Sequence, residues 1–312
     1  MPFSQGSRAG LSYVAETVFG TTPTTPSLIQ LPYTTHTLNL TKERVTGNDI
    51  QPDRMARVDR HGNRSVGGDI VVDLRKGDYD VFLESALFNT FSGSGEEIYL
   101  KVGTTPKFFS IEDAATDIAQ FRLFTGMSVS SLAVSIRPNQ MVTGTFSMVG
   151  KDMTISGTSV DPVKTAPSGN QPFDSYSGAL GIGDFGGTLS DVAIVTGIDF
   201  TINNALAPTF VVGSASTPQL EYGMATIEGT ITAYFEDATL INRFLNETET
   251  SLSVQVDDPT GASEYAWFFP RIKINGADVP VDNPTSRIIT LPFVALYDTE
   301  RNTNLRIKKP AA

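Results

Sequence analysis

The chain has no cysteine, two histidines and one tryptophan in 312 residues. The missing cysteine excludes a disulfide scaffold, a thiolate nucleophile and any cysteine-ligated metal. A catalytic triad needs a nucleophile set beside an oriented base. Nothing in the spacing of His36 and His61 provides one; both read as surface or core residues. Charge is also sparse, at 18% of residues, against about 25% in ordinary globular chains. No apolar run approaches the roughly 18 residues of a membrane span. The first residues lack the basic flank and long apolar centre of a secretion signal. The expectation from these absences is a soluble protein without a membrane span.

Positive charge is scarcer than negative. The totals are 23 basic and 34 acidic residues, a net charge of −11. Residues 1–155 hold 14 basic and 16 acidic residues, whereas 156–312 hold 9 and 18. Such a chain lacks the electrostatic footprint that grips nucleic acid.

What is present points to sheet. There are 27 glycines, and 40% of residues are apolar. Threonine, valine and isoleucine recur throughout, and these favour strands. The length allows two domains. A loop-like stretch at Ser156–Asp191 holds seven glycines, three prolines and six serines in 36 residues, and reads as a linker or extended loop.

The chain on either side of that stretch is patterned alike. In the first half, 66–74 alternates as a strand. Asp78 then offers a helix N-cap, and Tyr79, Phe82, Leu83, Ala86 and Leu87 form one apolar helical stripe. In the second half, 227–235 alternates, Asp237 offers the cap, and Leu240, Ile241, Phe244 and Leu245 form the stripe. Strands follow in both. The expected fold class is mainly β: two tandem β-sandwich or barrel domains, each with one flanking α-helix. The expected layout is an N-terminal arm over 1–30, a first domain over 31–155, the linker over 156–191 and a second domain over 192–312.

Candidate chemistry is thin. Gly181-Ile182-Gly183-Asp184-Phe185-Gly186 satisfies the dinucleotide glycine pattern. It neither follows a strand nor opens a helix, so it reads as coincidence. Asp78 and Asp80 suit a helix start, and Asp257-Asp258 before Pro259 suits a turn. Trp267, within Tyr265-Ala266-Trp267-Phe268-Phe269, reads as core. No cofactor, metal or enzymatic activity is expected. The unusual segment is 54–64, which holds Arg54, Arg57, Arg60 and Arg64. Arginine forks pair with carboxylates across interfaces and are enriched there, so this segment reads as an interface loop.

The opening segment Ser7-Arg8-Ala9-Gly10-Leu11-Ser12-Tyr13-Val14-Ala15-Glu16, followed by Phe19-Gly20-Thr21-Thr22-Pro23, resembles the start of major tail tube proteins of long, non-contractile-tailed bacteriophages. So do 38–42, the run Arg60-His61-Gly62-Asn63-Arg64-Ser65-Val66-Gly67-Gly68-Asp69, and 124–146. The resemblance is clear over 1–155 and general beyond.

That resemblance implies a structural virion protein. Its domains form rings whose inner wall is one β-barrel, and the rings stack into a tube that conducts DNA into the host. Two fused domains per chain imply homotrimeric, pseudo-hexameric rings; a homohexamer is the alternative. Implied partners are the chain itself, a tape measure protein, and terminator and baseplate proteins. DNA passes without sticking, and some of the acid in 156–312 is expected to face the channel. The tail is assembled in the host cytoplasm. Expected contacts between subunits or rings are Arg8, Tyr13, Phe19, Arg54, Arg57, Arg60 and Arg64. The arm and linker are expected to order only against neighbouring rings. The competing reading is a two-domain β-sandwich adhesion or carbohydrate-binding module.

Overall fold

The computed structural model describes residues 3–310 apart from 51, 54, 56, 57, 96, 192, 193, 260–263 and 282–285. Among these residues the chain is mainly β, with one seven-residue α-helix in each half. The first half contains β1 (Ala9–Glu16), β2 (Ile29–Gln30), β3 (Thr35–His36), β4 (Asn39–Thr46) and β5 (Asp59–Asp73). Then come α1 (Asp80–Ala86), β6 (Ser92–Ser94), β7 (Glu97–Lys101), β8 (Phe108–Ala115), β9 (Gln120–Ile136), β10 (Thr143–Gly150) and β11 (Asp152–Ser156). The second half contains β12 (Asp174–Asp184), β13 (Ser190–Asp191), β14 (Val195–Asn203), β15 (Ala207–Pro208), β16 (Leu220–Glu221) and β17 (Thr226–Tyr234). It continues with α2 (Thr239–Leu245), β18 (Thr250–Asp257), β19 (Tyr265–Ile274), β20 (Ile288–Ala295) and β21 (Arg306–Lys309).

The strands form two layers in each half. In the first half one layer pairs β2, β1, β8, the start of β9 and β11. The other pairs β3 and β4 with β5, then β10, then the end of β9. Strand β9 passes between layers at Gly126, whose φ of 66° favours a residue without Cβ. Helix α1 fills the space between. Phe82 stacks on Phe109 at 4.9 Å and meets Phe146 at 5.6 Å.

The second half repeats this pairing order. One layer runs β13, β12, β18, β19, β21, and the other runs β14, β17, β20, β19. Its core joins the layers through Phe200 and Trp267 at 5.1 Å, and through Phe269 and Phe293 at 5.7 Å. Two glycines fix the correspondence. A Cβ on Gly68 would lie 2.5 Å from the Thr37 carbonyl oxygen, and one on Gly229 would lie 2.6 Å from that of Asp199. Each strand preceding a helix therefore needs glycine at the same point of close backbone approach.

The halves are joined edge to edge. β14 pairs with the end of β9 from Ile198↔Ile136 to Asn203↔Ser131. β21 pairs with β7. Asp80 on α1 accepts from the Tyr265 hydroxyl and pairs with Lys309 at 2.6 Å. One apolar core runs through both halves.

Several expectations are corrected. The described part of the N-terminal arm is not loose: β1 pairs with β8 along its whole length, and Leu11, Tyr13 and Leu28 are buried. The linker is not loose either. Glu112 is fully buried and accepts from Ser159, the Val160 N–H and Lys164 at 2.6 Å, which straps 159–164 onto β8. Residues 174–184 of the linker form β12, which pairs with β18 as β1 pairs with β8.

The helix caps also shift. Tyr79 and Ala238 hold the N-cap positions. Asp78 accepts instead from the Ser168 N–H at 2.7 Å, outside the helix. Asp237 sits one residue before the cap, and its carboxylate takes the Thr239 N–H at 2.7 Å. Only in α2 does the carboxylate one residue before the cap reach an N–H of the first turn.

Candidate functional site

The layer built from β5, β10, β9, β14, β17 and β20 has two unlike faces, because side chains alternate along each strand. Ile70, Phe146, Leu132, Phe200, Ile231 and Leu291 point into the core and are buried. The opposite face is set by the registers. It carries Asp69, Val71 and Asp73 of β5, and Thr143, Thr145 and Ser147 of β10. Ser131, Ala133 and Ser135 of β9 follow, then Asp199, Thr201 and Asn203 of β14. Thr226, Glu228, Thr230 and Thr232 of β17 extend it. From β5 to β17 the face is mainly short hydroxyls and carboxylates, with Val71 and Ala133 among them; on β20 it continues as Ile288, Thr290, Pro292 and Val294.

Its charges are fixed by geometry. The Ser147 hydroxyl donates to Asp69 at 2.6 Å, and the Ser135 hydroxyl donates to Asp199 at 2.6 Å. Arg137 pairs with Asp199. Asp69, Asp73 and Glu228 have no cationic partner among the described residues. The carboxylates of such a surface repel phosphate, and the Arg137 guanidinium beside them is engaged by Asp199. Two of its carboxylates come from each half, so the acid excess of 156–312 is not concentrated here.

The expected contact residues scatter. Tyr13 is corrected: it lies in the core, edge-on to Phe82 at 4.9 Å and to Phe109 at 6.0 Å. Burial, reinforced by Asp78 and Asp80, pushes its hydroxyl up to about 12. Phe19 is half-buried against Phe108 at 4.9 Å, with the Lys151 ammonium 5.3 Å from its ring. Arg64 pairs with Asp152 at 3.0 Å, and its N–H donates to the Ala215 carbonyl. Arg8 is exposed beside β1, and Arg60 is exposed opposite Val45. Arg54 and Arg57 lie outside the described residues. The segment 59–64 is strand, not loop: β5 continues through it, held by β4. His61 is therefore on a strand, and His36 on β3 lies 3.6 Å from Asp113. Burial disfavours the charged Asp113 carboxylate, but hydrogen bonds from His36 and Arg122 outweigh it and hold the group below the usual range. Trp267 is 1% exposed, so it offers no binding platform.

The opening motif has a structural reading. Glu16 ends β1, and its carboxylate accepts from the Gly20 N–H at 2.6 Å, the Ser110 hydroxyl at 2.7 Å and the Gly126 N–H at 2.9 Å. Gly20 has φ 69° and closes the turn from Val18 to Thr21. The motif ties the first strand to the point where β9 changes layer.

The polar face was missed in the sequence because it is made of common residues. The signal was the alternation itself: Asp69, Val71 and Asp73 oppose Ile70 and Val72 on one strand. Among the described residues no helix is long and apolar enough to cross a membrane. No curated protein matches the chain at a significant level. A profile of the phage tail tube protein family matches residues 6–295. That match covers nearly the whole length of a mainly β chain: the chain belongs to the phage tail tube protein family.

Proposed function

We propose that the chain is a tandem of two tail-tube units that polymerises into stacked rings, forming the hollow tube of a long non-contractile phage tail. The observation that carries this reading is the β9–β14 junction. There the last long strand of one unit accepts the first edge strand of the next. The same two edges remain at the ends of the sheet. Among the described residues β3 and β4 pair on one side only, with β5. At the other end Asn275 and Asp278 are held along β20, with no strand described on their far side. Repeating the junction between chains closes a ring, because a head-to-tail contact with the right rotation closes. Three chains then give six units, with six single-unit chains as the simpler family arrangement.

In this reading the polar sheet face lines the channel, and its carboxylates keep DNA from sticking during passage into the host. The tape measure, terminator and baseplate proteins are the expected partners along the tube and at its ends. The β4–β5 hairpin, with its exposed Arg60, is the expected contact beyond one chain.

Electron microscopy of concentrated protein tests the assembly. Hollow tubes with a threefold-modulated cross-section are expected; compact particles at every concentration would refute it. The lining is tested by Asp69→Lys, Asp73→Lys and Glu228→Lys together. Tubes are expected to persist while DNA ejection slows. Ejection kinetics equal to wild type would show that this face is not the lining.

A further inference from the structure

The two helices end in the same way. After α1, Leu87 N–H donates to Leu83, Phe88 to Ser85 and Asn89 to Glu84. After α2, Asn246 donates to Asn242, Glu247 to Phe244 and Thr248 to Arg243. Phe88 and Glu247 both take positive φ, 50° and 53°. The two ends differ in what covers them.

The end of α1 is covered by residues 204–222 of the second half. The Asn204 amide donates to the Ala86 carbonyl at 2.9 Å, filling one of the acceptors a helix C-terminus leaves open. Leu206 and Leu220 pack on Phe88, and Tyr222 meets its ring edge-on at 5.3 Å. Phe88 is left 5% exposed. Among the described residues the end of α2 has no such cover, and Leu245, in the place of Ala86, is 65% exposed.

The segment that corresponds to 204–222 is the β4–β5 hairpin. Counting from the paired glycines, Thr41 takes the place of Asn203 and Lys42 that of Asn204. Among its described residues this hairpin is itself uncovered. Val45 is 55% exposed, and Val58, Met55 and Ile50 are exposed apolar residues around it. The molecule therefore has an uncovered helix end at one edge. At the other edge it has the uncovered equivalent of the segment that covers such an end.

We infer that the β4–β5 hairpin of one chain docks on the end of α2 of the next, with Val45 and Val58 against Leu245 and Lys42 donating to the Leu245 carbonyl. The occupant is a second copy of this chain, specified by the contact already made within it. A cation suits a helix C-terminus, where the dipole is negative. The neighbouring charges on α2 are already matched: Arg243 pairs with Asp184, Glu249 with Arg271, and Glu247 with Lys273. The docking contact is thus apolar, with a single added cation. It rests on the ring assembly proposed above.

The absence of cysteine gives a clean test. Val45→Cys combined with Leu245→Cys, treated with a short bismaleimide at a concentration where tubes form, should give ladders of covalent multimers. Either single variant should give none beyond background. Tubes without the ladder would overturn the docking while leaving the tube reading intact; absence of tubes for the wild-type protein would remove the tube reading itself. As a second measure, Leu245→Glu changes an exposed side chain and spares the fold. It should raise the concentration needed for assembly by about tenfold, the factor for about 1.4 kcal/mol. An unchanged threshold would overturn the docking.

Discussion

Helix α1 and helix α2 are equal in length, enter from equivalent strands and leave through the same backbone hydrogen bonds. In α1, Phe82, Leu83, Glu84, Ser85 and Ala86 are buried; in α2 no residue is. The local code is shared, so the difference comes from neighbours. α1 sits under β1 and the second half, and Asp80 is tied to Tyr265 and Lys309. α2 faces the edge of the molecule. One chain thus displays the same unit with a neighbour and without one, and the covered copy shows what the bare copy lacks.

The largest test of this contrast is truncation inside the helices. Phe82→Ala removes a fully buried ring and should cost about 3–5 kcal/mol. Ile241→Ala, at the matching place in a half-buried helix, should cost about 1–2 kcal/mol. Urea midpoints of dilute, unassembled protein would read both, and equal losses would contradict the contrast. A smaller effect follows from the covering segment. Asn204→Ala leaves the Ala86 and Val129 carbonyls without their amide donor, at about 1–3 kcal/mol. Its counterpart Lys42→Ala should stay within about 0.5 kcal/mol in dilute protein. Two comparable losses would mean that Lys42 already has a structural task within the chain.

The smallest effect concerns acid. Asp113 is held below the usual carboxylate range in the folded chain by His36 and Arg122, against the pull of burial. The stability it contributes is therefore present above its unfolded pKa and lost as pH falls through the folded one. Asp113→Asn should lower stability near neutrality and flatten the acid limb below the ordinary carboxylate range. Amide exchange in β8 and β9 would locate the change in the first half; an unaltered acid limb would show that the pair contributes nothing.

Much of the fold was legible. The helical stripe of Tyr79, Phe82, Leu83, Ala86 and Leu87 is buried as its spacing implied; of the second stripe Leu240, Ile241 and Phe244 pack on the core, whereas Leu245 is exposed. Strand β12 was not legible, because its glycines and serines read as loop. Gly178 and Gly183 are there for contact: a Cβ would lie 2.5 Å from the Gln255 carbonyl oxygen and 2.4 Å from that of Thr188. The N-terminal strand was hidden by its flanking turns. Removing residues 1–22 would take away Leu11 and Tyr13, a part of the core. Of the expected contact residues, Tyr13 failed because an aromatic in a short polar stretch gives no sign of which partner buries it.

The sequence by itself determined the class, the alternation of its strands, the two short helices and the doubled pattern, since these follow from local periodicity and turn chemistry. Only the tertiary structure decided that the halves join at β9 and β14, that the polar residues share one face, and that one helix end is covered and the other bare. Those outcomes depend on strand register and on contacts between residues far apart in the chain, such as Asn204 with Ala86. No local pattern encodes which edge meets which.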